Sequence, residues 1–139
     1  MKEKSVGAVI YRVAEDGKRL YLVQRMNLGH YSICKGHVEG DETEVETATR
    51  EIREETGLEV AINTNFRHVI TYSPTPGVMK DVVFFVARYS GDQIPADNHD
   101  DEVKFQSWFP LGQALQLITH ESDRETVILA DQYLQSQEK

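Results

Sequence analysis

The sequence predicts a mixed α/β domain in which a β-sheet is sandwiched between helices (α/β/α). Three observations carry that expectation. Segments rich in β-branched and aromatic residues recur along most of the chain, as strands require. Three helical patterns accompany them, one central and two near the end. Helices distributed in this way around more numerous strands can cover both faces of one sheet. At 139 residues the chain suffices for one sizeable core, so residues 1–139 are read as a single domain.

"SVGAVIYRV" (5–13) reads as the first strand, and "EDGK" (15–18) holds the Asp-Gly pair of a tight hairpin. "RLYLVQRM" (19–26) is its partner strand. "LGHYSICKGHVEGDE" is a loop with a short extended piece. Thr43 and Glu46 form a capping box that opens a helix running to about Thr56, where Gly57 suits a left-handed stop. "EVAINTNFRHVITY" and "VMKDVVFFVARYS" read as two longer strands, joined by the turn "SPTPG" (73–77). An acidic loop (91–101) leads to a last strand, "EVKFQSWF", whose Trp108 is read as core. Pro110 opens a short helix to residue 118, and residues 121–137 form an amphipathic C-terminal helix.

Apolar residues make up 40% and charged residues 27%, as in an ordinary globular protein. The opening "MKEKSVGAVIY" lacks the pattern of a signal peptide, and the apolar runs are too short to cross a bilayer. The one cysteine, Cys34, forbids an internal disulfide and is read as a small core residue. These features point to the cytoplasm and away from a membrane. A net charge of −8 argues against nucleic acid as a partner. A small polyanionic substrate remains open, provided local positive charge recruits it.

Residues 35–60 hold nine acids against three bases. On a helical wheel with Glu51 at 0°, Glu54 falls at about −60° and Glu55 at about +40°. Val45, Ala48 and Ile52 fall at about 120°, 60° and 100°, so an apolar stripe lies directly beside the carboxylates. Arg50 is within side-chain reach of Glu54. Stacked carboxylates repel and raise one another's pKa, and a bound divalent cation reverses both effects. Hard oxygen ligands suit Mg²⁺ or Mn²⁺. A solvated acidic face is the bland reading of the same residues.

The spacing adds a resemblance. Gly36, five residues, Glu42, seven residues, then Arg50-Glu51-Ile52-Arg53-Glu54-Glu55-Thr56-Gly57-Leu58 resembles the Nudix box, G-x5-E-x7-R-E-U-x-E-E-x-G-U with U apolar. Every position matches. The resemblance implies the Nudix fold and hydrolysis of a nucleoside diphosphate linked to another group, with Mg²⁺ or Mn²⁺. It implies that Glu51, Glu54 and Glu55 hold the metal with the Gly36 carbonyl, and that Arg50 orients a glutamate. It also implies a further acid from a later loop, best matched by Glu102, with Asp100 and Asp101 as competitors. Glu55 is the expected general base, with Glu51 or Glu102 as alternatives. Divalent ions screen a phosphoanhydride's charge and acidify an attacking water, and a glutamate completes proton removal.

Weaker likenesses concern the substrate. "KGHVE" and the Trp strand running into a helix are similar to asymmetrical diadenosine tetraphosphate hydrolases, although Cys34 stands where a Pro is usual and Tyr31 where a Trp is usual. That likeness implies phosphate contacts from Lys35, His37 and Lys80 and base stacking by Tyr72 and Tyr133. Without it, Lys80 reads as a strand-end lysine and Tyr133 as core packing. The expected reaction is diadenosine tetraphosphate to ATP and AMP. A MutT-like nucleoside triphosphate pyrophosphohydrolase and a non-catalytic nucleotide sensor are the alternatives. The sequence leaves the oligomeric state open.

Overall fold

A computed structural model describes residues 2–95 and 102–138. The elements in chain order are β1 (Lys2–Val13), β2 (Arg19–Met26), β3 (Tyr31–Ser32), β4 (Lys35–His37), α1 (Glu44–Thr56), β5 (Ala61–Thr75), β6 (Val78–Arg88), β7 (Val103–Pro110), α2 (Leu111–Leu117) and α3 (Glu121–Gln137). The sheet runs β3-β2-β1-β6-β5, with β4 added to β1 and β7 to β2. β1 and β6 are parallel while the other pairs are antiparallel, so the sheet is mixed, as expected.

Alternation along β6 explains the layers. Side chains two apart share a sheet face. Val82, Phe84 and Val86 join Tyr21, Ala130 and Leu134 in the cluster beneath α2 and α3. Val83, Phe85 and Ala87 join Ala48 and Ile52 in the cluster beneath α1. Residues 5–10 of β1 are all buried, the continuous pattern of a strand covered on both faces. Among the described residues no helix is long and apolar enough to cross a membrane.

Helix α1 begins and ends where its sequence signals place it. Glu46 donates its backbone N–H to Thr43 Oγ1 at 3.1 Å, and Thr43 N–H is received by Glu46 Oε1 at 2.8 Å. Gly57 takes the left-handed conformation, with φ 74°. The apolar stripe is narrower than expected. Ala48 and Ile52 are fully buried, but Val45 is 41% exposed. Thr47 is buried in the same turn, its hydroxyl donating to Glu42 Oε1 at 3.0 Å. The β5–β6 turn is also tighter than expected, because the ladder runs on to Thr75↔Val78. Trp108 is half-buried rather than core. Its ring stacks on Tyr89 at 5.8 Å and its indole N–H donates to Gln93 O at 2.9 Å. Cys34 lies in the core beside α1.

Candidate active site

The three helix glutamates are buried in the order that the wheel angles dictate. Glu55, nearest the apolar stripe, is 5% exposed. The side chain of Glu51 is 12% exposed and that of Glu54 49%. The site is thus a graded wall of carboxylates, from the core to the surface, on one turn of α1.

Arg50 ties this wall to the preceding loop. Its Nε and one terminal nitrogen donate to the two oxygens of Glu42 at 2.6 and 3.0 Å. That nitrogen also donates to the His37 carbonyl at 2.8 Å. Its other terminal nitrogen donates to Glu51 at 2.8 Å and to Glu54 at 3.1 Å. This bidentate grip, with the Glu39 N–H second, holds the Glu42 carboxyl down at about 2. Arg50 therefore orients two of the three glutamates and fixes the loop that carries Gly36.

Gly36 is where the loop meets the wall. A Cβ there would lie 1.9 Å from Glu51 Cδ and 2.1 and 2.2 Å from its oxygens. Only glycine lets the backbone approach that carboxylate so closely. Glu55 closes the site from below. Its Oε1 is buried and has no hydrogen-bond partner among the described residues. Burial first, then contact with Glu51, raises the Glu55 carboxyl well above the usual carboxylate range. Cys34 and Gln24 act on it in the opposite direction. Gln24 donates to Gln106 at 3.1 Å, and Gln106 donates to the Glu55 carbonyl at 2.7 Å. These two glutamines, from β2 and β7, form the site's floor. Sequence reasoning missed both, since a lone polar residue in a strand has no pattern that separates it from an outward-facing one.

A divalent cation fits these residues. The donors are hard oxygens, one of them an orphaned buried carboxylate atom, and a close glycine backbone completes the cradle. Among the described residues no three acidic, His or Cys side chains already converge as a metal cluster. Glu51 and Glu54 are instead both hydrogen-bonded to Arg50. Cation binding is expected to raise the melting temperature. Gly36→Ala must push Glu51 aside, so it should abolish most of the Mg²⁺-induced rise seen by scanning fluorimetry. An undiminished rise would separate Gly36 from the cation site.

A cavity of about 430 Å³ lies on the other face of the sheet, with Lys35 in its lining. Ile70 and Val82 form its apolar wall, and Tyr72, His30 and His120 supply rings. His30 and His120 stand 5.8 Å apart, tilted by 51°. Lys80 is opposite Tyr72 in the β5–β6 ladder. Burial first, then the charge of Lys35, lowers the Lys80 ammonium, partly offset by Glu3 and Glu102. Two lysines held near one another beside an acidic wall form the local positive patch that an anionic substrate requires.

The remaining expected site residues divide. Lys35 and Tyr72 reach the cavity, and Lys80 lies beside them. His37 is exposed and contributes its carbonyl to Arg50. Glu102 is exposed, its carbonyl accepting from Asn27 N–H at 2.9 Å, and its charge acts on Lys80. Asp100 and Asp101 lie outside the described residues. Tyr133 is not brought to the cavity. Its ring packs at 5.7 Å from Phe66 and its hydroxyl accepts from Asn63 Nδ2 at 3.1 Å. It sits ten residues along α3 from the cavity-lining Asp123, about 15 Å by helical rise. Tyr133 thus packs against the core cluster beneath α2 and α3, and no sequence feature separates that from base stacking. His30, His120 and Asp123 were not foreseen, because loop and helix-start residues meet the sheet only through the tertiary fold.

Comparison with known proteins extends this picture. A family model described as NUDIX domain matches residues 1–130. The chain is 27% identical to a Mycobacterium tuberculosis protein described as putative mutator protein MutT4, over 96% of this chain and 50% of that one. It is 30% identical to the mouse asymmetrical bis(5'-nucleosyl)-tetraphosphatase, over 76% of this chain and 72% of that one. The chain spans about half the length of MutT4 and of two further curated relatives. A solved structure of a C. elegans Ap4A hydrolase binary complex superposes with a TM-score of 0.86 at 23% identity, covering 96% of this chain and 98% of that one.

Proposed function

We propose that this chain, which belongs to the Nudix family, is a metal-dependent hydrolase that cleaves a phosphoanhydride in a nucleoside diphosphate-linked substrate. The substrate we favour is diadenosine tetraphosphate, split by water into ATP and AMP. The observation that carries this reading is the continuity of the two half-sites. Lys35, which lines the cavity, is followed directly by Gly36, whose backbone lies close against the Glu51 carboxylate. A nucleotide with its base in the cavity would pass its phosphates by Lys35 towards α1. The likeness to the mouse tetraphosphatase supports the asymmetrical product pair.

Gly36, Glu51, Glu54 and Glu55 are the residues that would hold Mg²⁺ or Mn²⁺, with Glu102 an added ligand. The cation supplies charge neutralisation at the phosphates and a lowered pKa for an attacking water. The chain's own residues do the rest. Lys35 and Lys80 attract the polyphosphate. Arg50 keeps Glu51 and Glu54 aimed at one side of the helix. We assign proton removal to a glutamate of this wall. Glu55, the expected base, is the most buried of the three and its carboxyl has its proton affinity raised by burial and by Glu51, which suits it to take the proton, with Glu51 or Glu102 as the alternatives. We place the protein in the cytoplasm, where nucleotides and Mg²⁺ occur together.

A nucleoside triphosphate pyrophosphohydrolase is the second reading, favoured by a cavity lined for one base and by the likeness to MutT4. The test is a panel of nucleotides with Mg²⁺ and chromatographic separation of the products. ATP plus AMP from diadenosine tetraphosphate is expected. A monophosphate plus pyrophosphate from a triphosphate would favour the second reading. No turnover of any nucleotide would leave a sensor.

A further inference from the structure

Asp123 is a buried carboxylate without a cation. It is 7% exposed and lines the cavity. Its one side-chain hydrogen bond among the described residues is from Ser32 Oγ to Oδ2, at a long 3.4 Å. No Lys or Arg among the described residues pairs with it. The opposite wall feels its charge: burial first, then Asp123, raises the Tyr72 phenol. A carboxylate so enclosed carries a desolvation cost unless donors reach it. Its place in the first turn of α3 favours the negative charge. The donors that would offset this cost are those of a ligand in the cavity that Asp123 lines.

An ionised carboxylate only accepts hydrogen bonds. It therefore sorts nucleobases by what they present side by side. Guanine offers N1–H and the 2-amino group as adjacent donors, one for each carboxylate oxygen. Adenine offers the 6-amino donor beside the N1 acceptor, whose lone pair would face the second oxygen. Cytosine has the same donor-acceptor edge as adenine. The apolar wall and the rings of Tyr72, His30 and His120 accept any flat base, so only the edge contact discriminates.

We propose that Asp123 determines base specificity and that the cavity selects a guanine-type base over adenine. This rests on the reading that a substrate base occupies the cavity; it keeps the asymmetrical cleavage proposed above but puts a guanine-containing dinucleoside tetraphosphate ahead of diadenosine tetraphosphate as the preferred substrate. An amide presents one acceptor and one donor, which matches adenine. Asp123→Asn, nearly isosteric, should therefore reverse the preference.

The experiment has two arms. In the first, GMP and AMP binding to the whole, metal-free protein is measured by calorimetry. GMP is expected to bind about tenfold more tightly, the order of one good bidentate contact. In the second, KM and kcat are compared with Mg²⁺ for diguanosine and diadenosine tetraphosphate. The guanine substrate should show the lower KM at similar kcat, and Asp123→Asn should invert the KM ratio. Equal or adenine-favouring binding by the unsubstituted protein overturns the proposal, whatever the variant does. So does an Asp123→Asn protein that weakens both bases alike. Guanine-selective binding without turnover of either tetraphosphate keeps the proposal and removes the cleavage reading instead.

Discussion

Glu54→Gln is expected to leave the fold intact and cut turnover by about 10³ or more, some 4 kcal/mol of barrier. The substitution removes one negative charge from the wall while keeping its shape. The fold survives because this side chain is half exposed and its one ion pair among the described residues is the 3.1 Å contact with Arg50. Arg50 retains Glu42 on two atoms and the His37 carbonyl, so the loop stays docked. What is lost is an anionic oxygen for a cation that must neutralise a developing polyphosphate charge. An amide oxygen is a much weaker ligand for a hard divalent ion. The measurement is steady-state hydrolysis at saturating Mg²⁺, alongside circular dichroism and a melting curve in chelator. Turnover within a few-fold of the unsubstituted protein, with the fold unchanged, would sink the assignment of this wall as the cation site.

The parts of the site legible in the sequence are those built by local geometry. Thr43, Glu46 and Gly57 mark the ends of α1 because caps obey fixed backbone rules. The order of burial from Glu55 to Glu54 follows from a rotation of 100° per residue. Lys35 and Gly36 sit one beside the other in the chain, so their link needs no tertiary knowledge. The parts that were not legible depend on which strand lies over which. Gln24 and Gln106 meet because β2 and β7 pair, with Gln24↔Gln106 opposite one another. Asp123 and Tyr72 line one cavity only because the tertiary fold brings the first turn of α3 and β5 together. Tyr133 shows the converse: its side of α3 is set by Asn63 and Phe66 on β5, a contact absent from any local pattern. Val45 lies on the expected stripe but in the first turn of α1, where it is 41% exposed.

The buried carboxyl of Glu55, one oxygen of which has no hydrogen-bond partner among the described residues, makes the stability of the metal-free protein fall as pH rises, and Glu55→Gln should remove that fall. The folded protein holds the Glu55 proton more tightly than the unfolded chain does, because burial and Glu51 both disfavour the anion. Above the unfolded value of 4.5, the native state therefore binds more protons than the unfolded state, and stability declines with each further pH unit. The slope reaches at most about 1.4 kcal/mol per unit, which is several degrees of melting temperature. Glu42 and Glu44 act oppositely in a lower window. Arg50 holds the first and Arg67 the second at about 2, so their contribution is complete above 4.5 and is lost as pH falls towards 2. Melting temperature in chelator should thus peak near pH 5. Divalent cations favour the ionised form of Glu55 and release its proton, so Mg²⁺ should bind more tightly at pH 8 than at pH 6 and flatten the alkaline limb. In Glu55→Gln an amide replaces the acid. The metal-free variant should match or exceed the unsubstituted protein at pH 8, yet gain little from Mg²⁺. Melting curves across pH 3–9, with and without Mg²⁺, read all of this at once. A variant less stable at pH 8 in chelator, or one that keeps the full Mg²⁺ response, would show that Glu55 packs as an ordinary core residue rather than waiting on a cation.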